Sequence, residues 1–401
     1  MRITDKLKGK RILIWGYGRE GKSTKNFIDN YCNVKSVDIF EGKKEEIDEN
    51  EYDYIIKSPG IPVLALNEKY TSQTELFVDE FRDKIIGVTG TKGKSTTSSM
   101  LFYVLSKCSK KNVILVGNIG LPCLDHYAEI DENTIIVYEM SCHQLAHLSV
   151  SPGMAVFLNL HEDHLDYYKT MDRYFKAKCN IFLNMDERGT AYIGSQVPLE
   201  NVNTTGFKGK IVIVDENKTY NYNLKLCGRH NQFNAEVVYE IVSSHFCSNA
   251  DMIKEAMSEF NGLSHRLEFA GEYDGIAYYD DSISTICSSA INAVNAIADC
   301  ETVLIGGMDR GIDYSELADF IKIRPDVKFI CMYAAGKRVA EMSEGCANVY
   351  LRNDLKEAVE LAKQITGKGK ACILSPAAAS YDAFKNFEER GNVFKKLIKE
   401  K

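Results

Sequence analysis

Proline is scarce in this chain, with seven among 401 residues, and Trp15 is the single tryptophan. So few prolines, together with 45% hydrophobic residues, leave no composition for a long disordered tract. No apolar run approaches the roughly 20 residues needed to cross a bilayer. The stretch Met1 to Arg11 lacks the apolar core of a signal peptide, so a cytoplasmic protein with no membrane insertion is expected. A basic excess is missing as well. The net charge is -7 and the lysines and arginines are dispersed, which provides no face to offset the phosphate charge of a nucleic acid. The twelve cysteines include no Cys-x-x-Cys pair, so buried reduced thiols are expected in place of disulfides or a zinc site.

What is present is alternation. The length suggests two to four domains. Apolar runs at Arg11 to Trp15, Val34 to Phe40, Tyr54 to Ile56 and from Lys84 read as strands, and alternating strands and helices continue to about Tyr192. From Val303 the period is regular: strand Val303 to Ile305, helix near Tyr314 to Ile323, strand Val327 to Met332, helix near Lys337 to Met342. Helix Leu355 to Ile365, strand Ala371 to Leu374 and a closing helix ending near Lys399 complete it. The pattern predicts an α/β protein of three domains, with mostly parallel sheets covered by helices on both faces. These are a Rossmann-like domain over 1–80, a central P-loop ATPase-like domain over 81–262 and a second Rossmann-like domain over 263–401.

Two glycine-rich loops carry chemistry. Gly16, Gly18 and Gly21 follow the first strand in Gly-x-Gly-x-x-Gly spacing, and Asp38 lies about 20 residues on, where such an acid binds ribose hydroxyls. A tight packing turn is the competing reading, and these glycines alone do not distinguish UDP from NAD. The second loop, Gly87-Val88-Thr89-Gly90-Thr91-Lys92-Gly93-Lys94-Ser95-Thr96-Thr97, follows a strand and precedes a helix expected near Ser98. Glycine-freed amides, a lysine and a hydroxyl are what a triphosphate with Mg2+ requires. Lys94 is expected at the β- and γ-phosphates and Ser95 at the metal. Val88 stands where the common P-loop has its first glycine.

That loop, Thr-Gly-Thr-Lys-Gly-Lys-Ser, resembles the one used by Mur ligases and folylpolyglutamate synthases. Tyr138 to Leu145 is similar to the Mur ligase Glu-x-Ser-Ser-x-Gln-Leu segment, Asn159 to Asp166 to its Asn-x-x-x-Asp-His-x-Asp segment, and Gly228 to Ala235 to its Gly-x-His-Asn-x-x-Asn-Ala signature. Gly262 to Glu268, Asp280-Asp281-Ser282, and Leu374 to Asp382 running on to Phe384 to Glu388 most resemble members that add D-glutamate to UDP-N-acetylmuramoyl-L-alanine. The resemblance spans essentially the whole chain.

It implies an ATP-dependent amide ligase of peptidoglycan precursor synthesis, working through an acyl phosphate and releasing ADP and phosphate. Lys94, Glu139, His164 and Lys178 are implied as catalytic. Gly90 to Thr96 with Asn231, His265, Arg266 and Asp281 are implied to hold ATP. Two Mg2+ sites are implied on Ser95, Glu139, His164 and Lys178, the last as a carbamate. Gly16, Gly18, Arg19, Gly21, Asp38, Ser58, Gly60, Asn118 and Ser141 are implied for the UDP-sugar. Thr285, Arg310, Ser380, Tyr381 and Phe387 are implied for the amino acid. A monomer is expected. A surface lysine is the competing reading of Lys178, since Lys176 stands two residues earlier, and a packed residue that of His265.

Three departures cluster at the amino acid. Ile283 replaces a usual lysine, Arg310 stands for another lysine and Tyr381 for a common leucine. Guanidinium and ammonium recognise carboxylates differently. Alternative readings are a ligase for another acceptor such as L-glutamate, a folate-type ligase, an NAD-dependent oxidoreductase resting on the first glycine turn, and a non-catalytic ATP-binding regulator.

Overall fold

The computed structural model describes residues 1–62, 66–205, 207–226 and 228–400. It divides into two compact units, one of Met1–Asn223 with Arg229–Phe260 and the other of Leu224–Gly228 with Asn261–Lys401. Among the described residues no helix is long and apolar enough to cross a membrane, and the described cysteines are free thiols.

The first unit contains two sheets. Strands β1 (Arg11–Trp15), β2 (Ser36–Phe40), β3 (Tyr54–Lys57) and β4 (Tyr70–Thr71) form a parallel sheet in the order β2-β1-β3-β4. β1 is apolar almost throughout, with Ile12 to Trp15 buried, as a central parallel strand covered on both faces must be. The second sheet joins β5 (Ile85–Thr89), β6 (Asn112–Gly117), β7 (Thr134–Glu139), β8 (Met154–Phe157), β9 (Thr190–Gly194) and β10 (Lys210–Val214) in the order β10-β9-β8-β5-β7-β6, all parallel. After β5 the chain crosses to β6 on one side, whereas β8 lies on the other. The loops leaving the carboxyl ends of β5 and β8 therefore diverge and leave a crevice, the usual ligand position in such sheets.

The second unit is built on one sheet of β11 (Glu268–Tyr273), β12 (Ile276–Asp280), β13 (Cys300–Gly306), β14 (Lys328–Met332), β15 (Val349–Arg352) and β16 (Ala371–Leu374), in the order β11-β12-β16-β13-β14-β15. β11 and β12 form an antiparallel hairpin around Asp274 and Gly275, both with positive φ, and the other pairings are parallel.

Two helix starts differ from the sequence reading by a full turn. The helix after the phosphate loop runs Lys94–Cys108 and starts at Lys94, not near Ser98, because Gly93 takes a left-handed φ of 84° and turns the chain directly into it. Its Ser/Thr-rich first turns look like a loop in sequence, yet Thr97, Ser98 and Ser99 are buried. Likewise the helix expected from Lys337 begins at Tyr333. Gly336 does not interrupt it. A Cβ there would strike the backbone of Cys331 and Ile305, so the glycine lets the helix press onto the sheet.

Candidate active site

The phosphate loop is held from below by one side chain. Asn159, just beyond β8, accepts at Oδ1 from the N–H groups of Thr91 (3.1 Å) and Lys92 (2.9 Å), and its Nδ2 donates to Lys92 O (3.0 Å). Thr91 N also donates to Asn159 O, and the Thr91 hydroxyl meets Tyr174 Oη at 3.2 Å and accepts from His161 N at 2.9 Å. Close packing accounts for the glycines. A Cβ on Gly90 would meet Leu158 Cβ, and one on Gly93 would meet the Asn234 amide. Asn234 in turn donates to Asn231 Oδ1 at 3.3 Å, so the first turn of helix Arg229–His245 stands beside the loop.

Two lysines converge on one carbonyl. Lys94 Nζ donates to Gly90 O (3.0 Å) and Thr91 O (3.0 Å), and Lys178 Nζ donates to Gly90 O at 2.7 Å. Lys178 is 1% exposed and lies 4.8 Å over the Tyr174 ring. Burial, and then the neighbouring Lys94 charge, bring its ammonium down from 10.5 to about 7. Ser95 and Thr96 occupy the first helical turn and are half-buried.

Glu139 ends β7 and is completely buried. Its Oε1 accepts from Asn118 Nδ2 at 2.7 Å, while Oε2 has no partner among the described residues. A buried carboxylate oxygen without a donor is costly unless a ligand satisfies it, which fits a hard divalent cation. His164 has a left-handed φ of 53°, is braced by Asp163 at 3.6 Å and stands edge-on to His143, ring centroids 5.0 Å apart.

A cavity of about 450 Å3 brings together Arg19, Gly60, Lys94, Asn118, Ser141, His164 and Lys178, all singled out in the sequence. Gly16, Gly18, Gly21, Asp38, Ser58, Glu139, Ser95 and Asn231 are not in its lining. Gly16, Gly21 and Ser58 act just behind it. Ser58 Oγ donates to Gly16 O at 2.9 Å, a Cβ on Gly16 would strike Ser58, and one on Gly21 would strike Gly16 O. Asp38 stands exposed in the middle of β2, hydrogen-bonded by Tyr52. Arg19 reaches Gly120 O.

In the second unit Asp281 is 3% exposed and fully engaged. It accepts from Leu267 N (3.1 Å), Ser284 Oγ (2.5 Å) and Ser375 Oγ (2.7 Å), and burial raises its carboxyl to about 6. His265 is buried on Asp280, with Phe387 6.1 Å from its ring. Ser380 is buried, Thr285 half-buried, and Arg266, Arg310 and Tyr381 are exposed.

Comparison with known proteins settles the family. Residues 88–208 match the Mur ligase middle domain. The UDP-N-acetylmuramoylalanine–D-glutamate ligase of Francisella philomiragia is 33% identical, over 99% of this chain and 98% of its own. The ligase of the same name from Aquifex aeolicus is 30% identical, over 97% and 98%. The chain belongs to the Mur ligase family. The UDP-N-acetylmuramoyl-L-alanine–L-glutamate ligase of Salinispora tropica is 29% identical, over 100% and 99%. The MurF ligase of Thermotoga maritima, solved in complex with ADP, shares the fold at 15% identity and a TM-score of 0.60, over 98% of this chain and 96% of that one.

As a Mur ligase the protein is an enzyme that forms bonds, and its cavity holds residues that the sequence reading passed over. Glu20 lines it, with Oε1 accepting from Gln144 Nε2 at 2.7 Å and Oε2 buried without a partner among the described residues. Burial raises its carboxyl, and burial lowers the nearby Lys57 ammonium to about 8. Gln144 Oε1 accepts from Ser141 N while Ser141 Oγ caps Gln144 N, so the Ser141 hydroxyl also closes a capping box. His143 and Tyr174 complete the wall. The only available signals were that Glu20 lies inside the glycine turn and that His143 and Gln144 lie inside a segment already noted. Asn159 opens the Asn-x-x-x-Asp-His segment, but nothing in sequence says that it carries the phosphate loop.

Proposed function

We propose that this Mur ligase joins D-glutamate to UDP-N-acetylmuramoyl-L-alanine in the cytoplasm, at the expense of ATP. Residues 1–80 bind the UDP-sugar, 81–262 bind ATP and 263–401 bind the amino acid. A substrate carboxylate oxygen attacks the γ-phosphorus and the bond to the β–γ bridging oxygen breaks, releasing ADP. The amine nitrogen then attacks the acyl carbon and phosphate leaves. Both reacting groups of the first step are anionic, so positioning and cations dominate the catalysis.

The observation that carries this reading is the convergence of Lys94 and Lys178 on Gly90 O in a cavity also lined by Asn118, which holds the Glu139 carboxylate whose Oε2 has no partner among the described residues. Lys94 holds the terminal phosphates, with loop amides other than those of Thr91 and Lys92, which Asn159 engages. Mg2+ would be held by Glu139 with Ser95, and a second ion by His164 with Lys178 as a carbamate. When bound, such cations neutralise phosphate charge. Lys178 suits that modification because a lysine near 7 is partly neutral at cytoplasmic pH, and only the neutral amine captures CO2.

Phosphate release measured with UDP-N-acetylmuramoyl-L-alanine, ATP and a panel of amino acids tests the reading. Turnover with D-glutamate is expected. Turnover with L-glutamate alone would overturn the acceptor and place the enzyme's specificity with that of the Salinispora relative.

A further inference from the structure

Asp280 ends β12 completely buried. Its Oδ1 accepts from Ser282 N at 3.0 Å, and its Oδ2 lies 2.7 Å from His265 Nδ1. With Asp280 as the acceptor, the proton of this bond sits on Nδ1 and the imidazole presents Nε2 as a lone pair. Nε2 makes no hydrogen bond among the described residues, and His265 is 5% exposed. The pair is built with some cost. His265 takes a left-handed φ of 63°, and helix Phe387–Leu397 carries glycine at position 391, where any Cβ would land on His265 Nδ1 and Asp280 Oδ2.

The surrounding charges are committed elsewhere. Glu268 accepts from His265 N (2.8 Å) and from Lys395 Nζ (2.5 Å), and Lys395 lies 3.6 Å from Asp280. Arg390 also faces Asp280, and its guanidinium donates to Ser282 O and Oγ, Ala378 O and Ala379 O. A metal ion on His265, Glu268 and Asp280 would have to displace Lys395, so this cluster is an oriented histidine and not a cation site. Arg390 ties Ser282 to the segment before Ser380, and Ser282 Oγ donates to Phe387 O at 2.8 Å. The histidine therefore stands on the knot that carries the proposed amino-acid pocket.

We propose that His265, oriented by Asp280, is the base that takes the proton from the ammonium of the incoming amino acid. This rests on the ligase reading above. An ammonium has no lone pair and cannot attack an acyl phosphate. One N–H bond breaks and the Nε2–H bond forms, leaving a neutral amine and an imidazolium whose Nδ1–H stays on Asp280. The amine then attacks the acyl carbon, the C–O bond to phosphate breaks, the departing phosphate takes the second N–H proton, and the imidazolium returns its own proton to solvent.

Asp280→Asn tests the step in the full-length enzyme. Ser282 N–H keeps the amide oxygen on its own side, so the NH2 faces Nδ1 and forces the imidazole proton to Nε2, with no change of shape. Amide formation at pH 7.5 should fall on the order of 10²- to 10⁴-fold. The rate should recover tenfold per pH unit as solvent deprotonates the amine. Hydroxylamine, already neutral at that pH, should trap the acyl phosphate as hydroxamate with a far smaller loss than amide formation suffers. Equal loss of both reactions, or undiminished amide formation, would overturn the base assignment. Wild-type enzyme giving no hydroxamate would instead overturn the ligase reading. Nitrogen-15 spectra of wild-type His265 should show the proton on Nδ1, and a proton on Nε2 would refute the orientation whatever the variant does.

Discussion

Replacing Lys178 by methionine should make this enzyme more stable and inactive at once. The side chain is 1% exposed, and its ammonium titrates at about 7 in place of 10.5. The unfolded chain therefore binds more protons than the folded one between those values, and stability rises with pH across that window. At pH 7 the drop from 10.5 to about 7 corresponds to a cost of roughly 4 kcal/mol. Methionine has similar bulk and no charge, so it removes that cost. It also loses the hydrogen bond to Gly90 O and the contact with the Tyr174 ring, together worth about 2–3 kcal/mol. The net gain is about 1–2 kcal/mol, a rise of a few degrees in Tm for a unit of this size. Thermal unfolding in metal-free, nucleotide-free buffer checks it, and the gain should shrink at pH 9, where the wild-type lysine is already neutral. Turnover should fall by more than about 100-fold, since a thioether forms no carbamate. A methionine variant that melts below wild type at pH 7, or a stability difference indifferent to pH, would refute the burial argument.

Lys94→Ala should leave unfolding nearly unchanged, because the side chain donates to carbonyls of the loop that carries it, and reduce phosphate release by about 1,000-fold or more. Asn159→Ala removes three hydrogen bonds under the loop; the KM for ATP should rise by roughly tenfold and stability fall by about 2 kcal/mol, and an unchanged KM would show that the loop holds its shape unaided. Gly93→Ala meets both a φ of 84° and the Asn234 amide, so circular dichroism should report a destabilisation of about 1–3 kcal/mol, with nucleotide binding lost before global unfolding.

Much of the fold was readable because its strands are continuous apolar runs and its turns are glycine-rich. Leu355–Ile365 and Ala371–Leu374 fall where the pattern placed them. The start of the helix at Lys94 was hidden because that helix is buried on several sides by serine and threonine as well as by leucine, so no amphipathic period marks its first turn. The β11–β12 hairpin has its sequence signal in Asp274-Gly275, a two-residue turn between apolar runs. Among site residues, Lys94, His164 and Lys178 stood in recognisable segments, and the structure brings them to one cavity. Glu20 and Lys57 were illegible for a physical reason. Their proximity is created by sheet packing across 37 residues of sequence, and a buried acid or lysine looks like any surface charge until its neighbours are known.

The order β12-β16-β13 at the middle of the last sheet has a consequence for synthesis. β12 and β13 follow each other early in that unit but pair with each other nowhere; each pairs with β16, which begins only at Ala371. A nascent chain that has emerged only through β15 therefore has a cleft where the sheet should be continuous, with the apolar faces of two strands uncovered. Such long-range closure is slow and exposes sticky surface. Ribosome pausing or proteolysis within 328–370 should accordingly yield fragments that aggregate or recruit chaperones, whereas the first unit, complete by Phe260 apart from a short excursion, can fold while the rest is still being made.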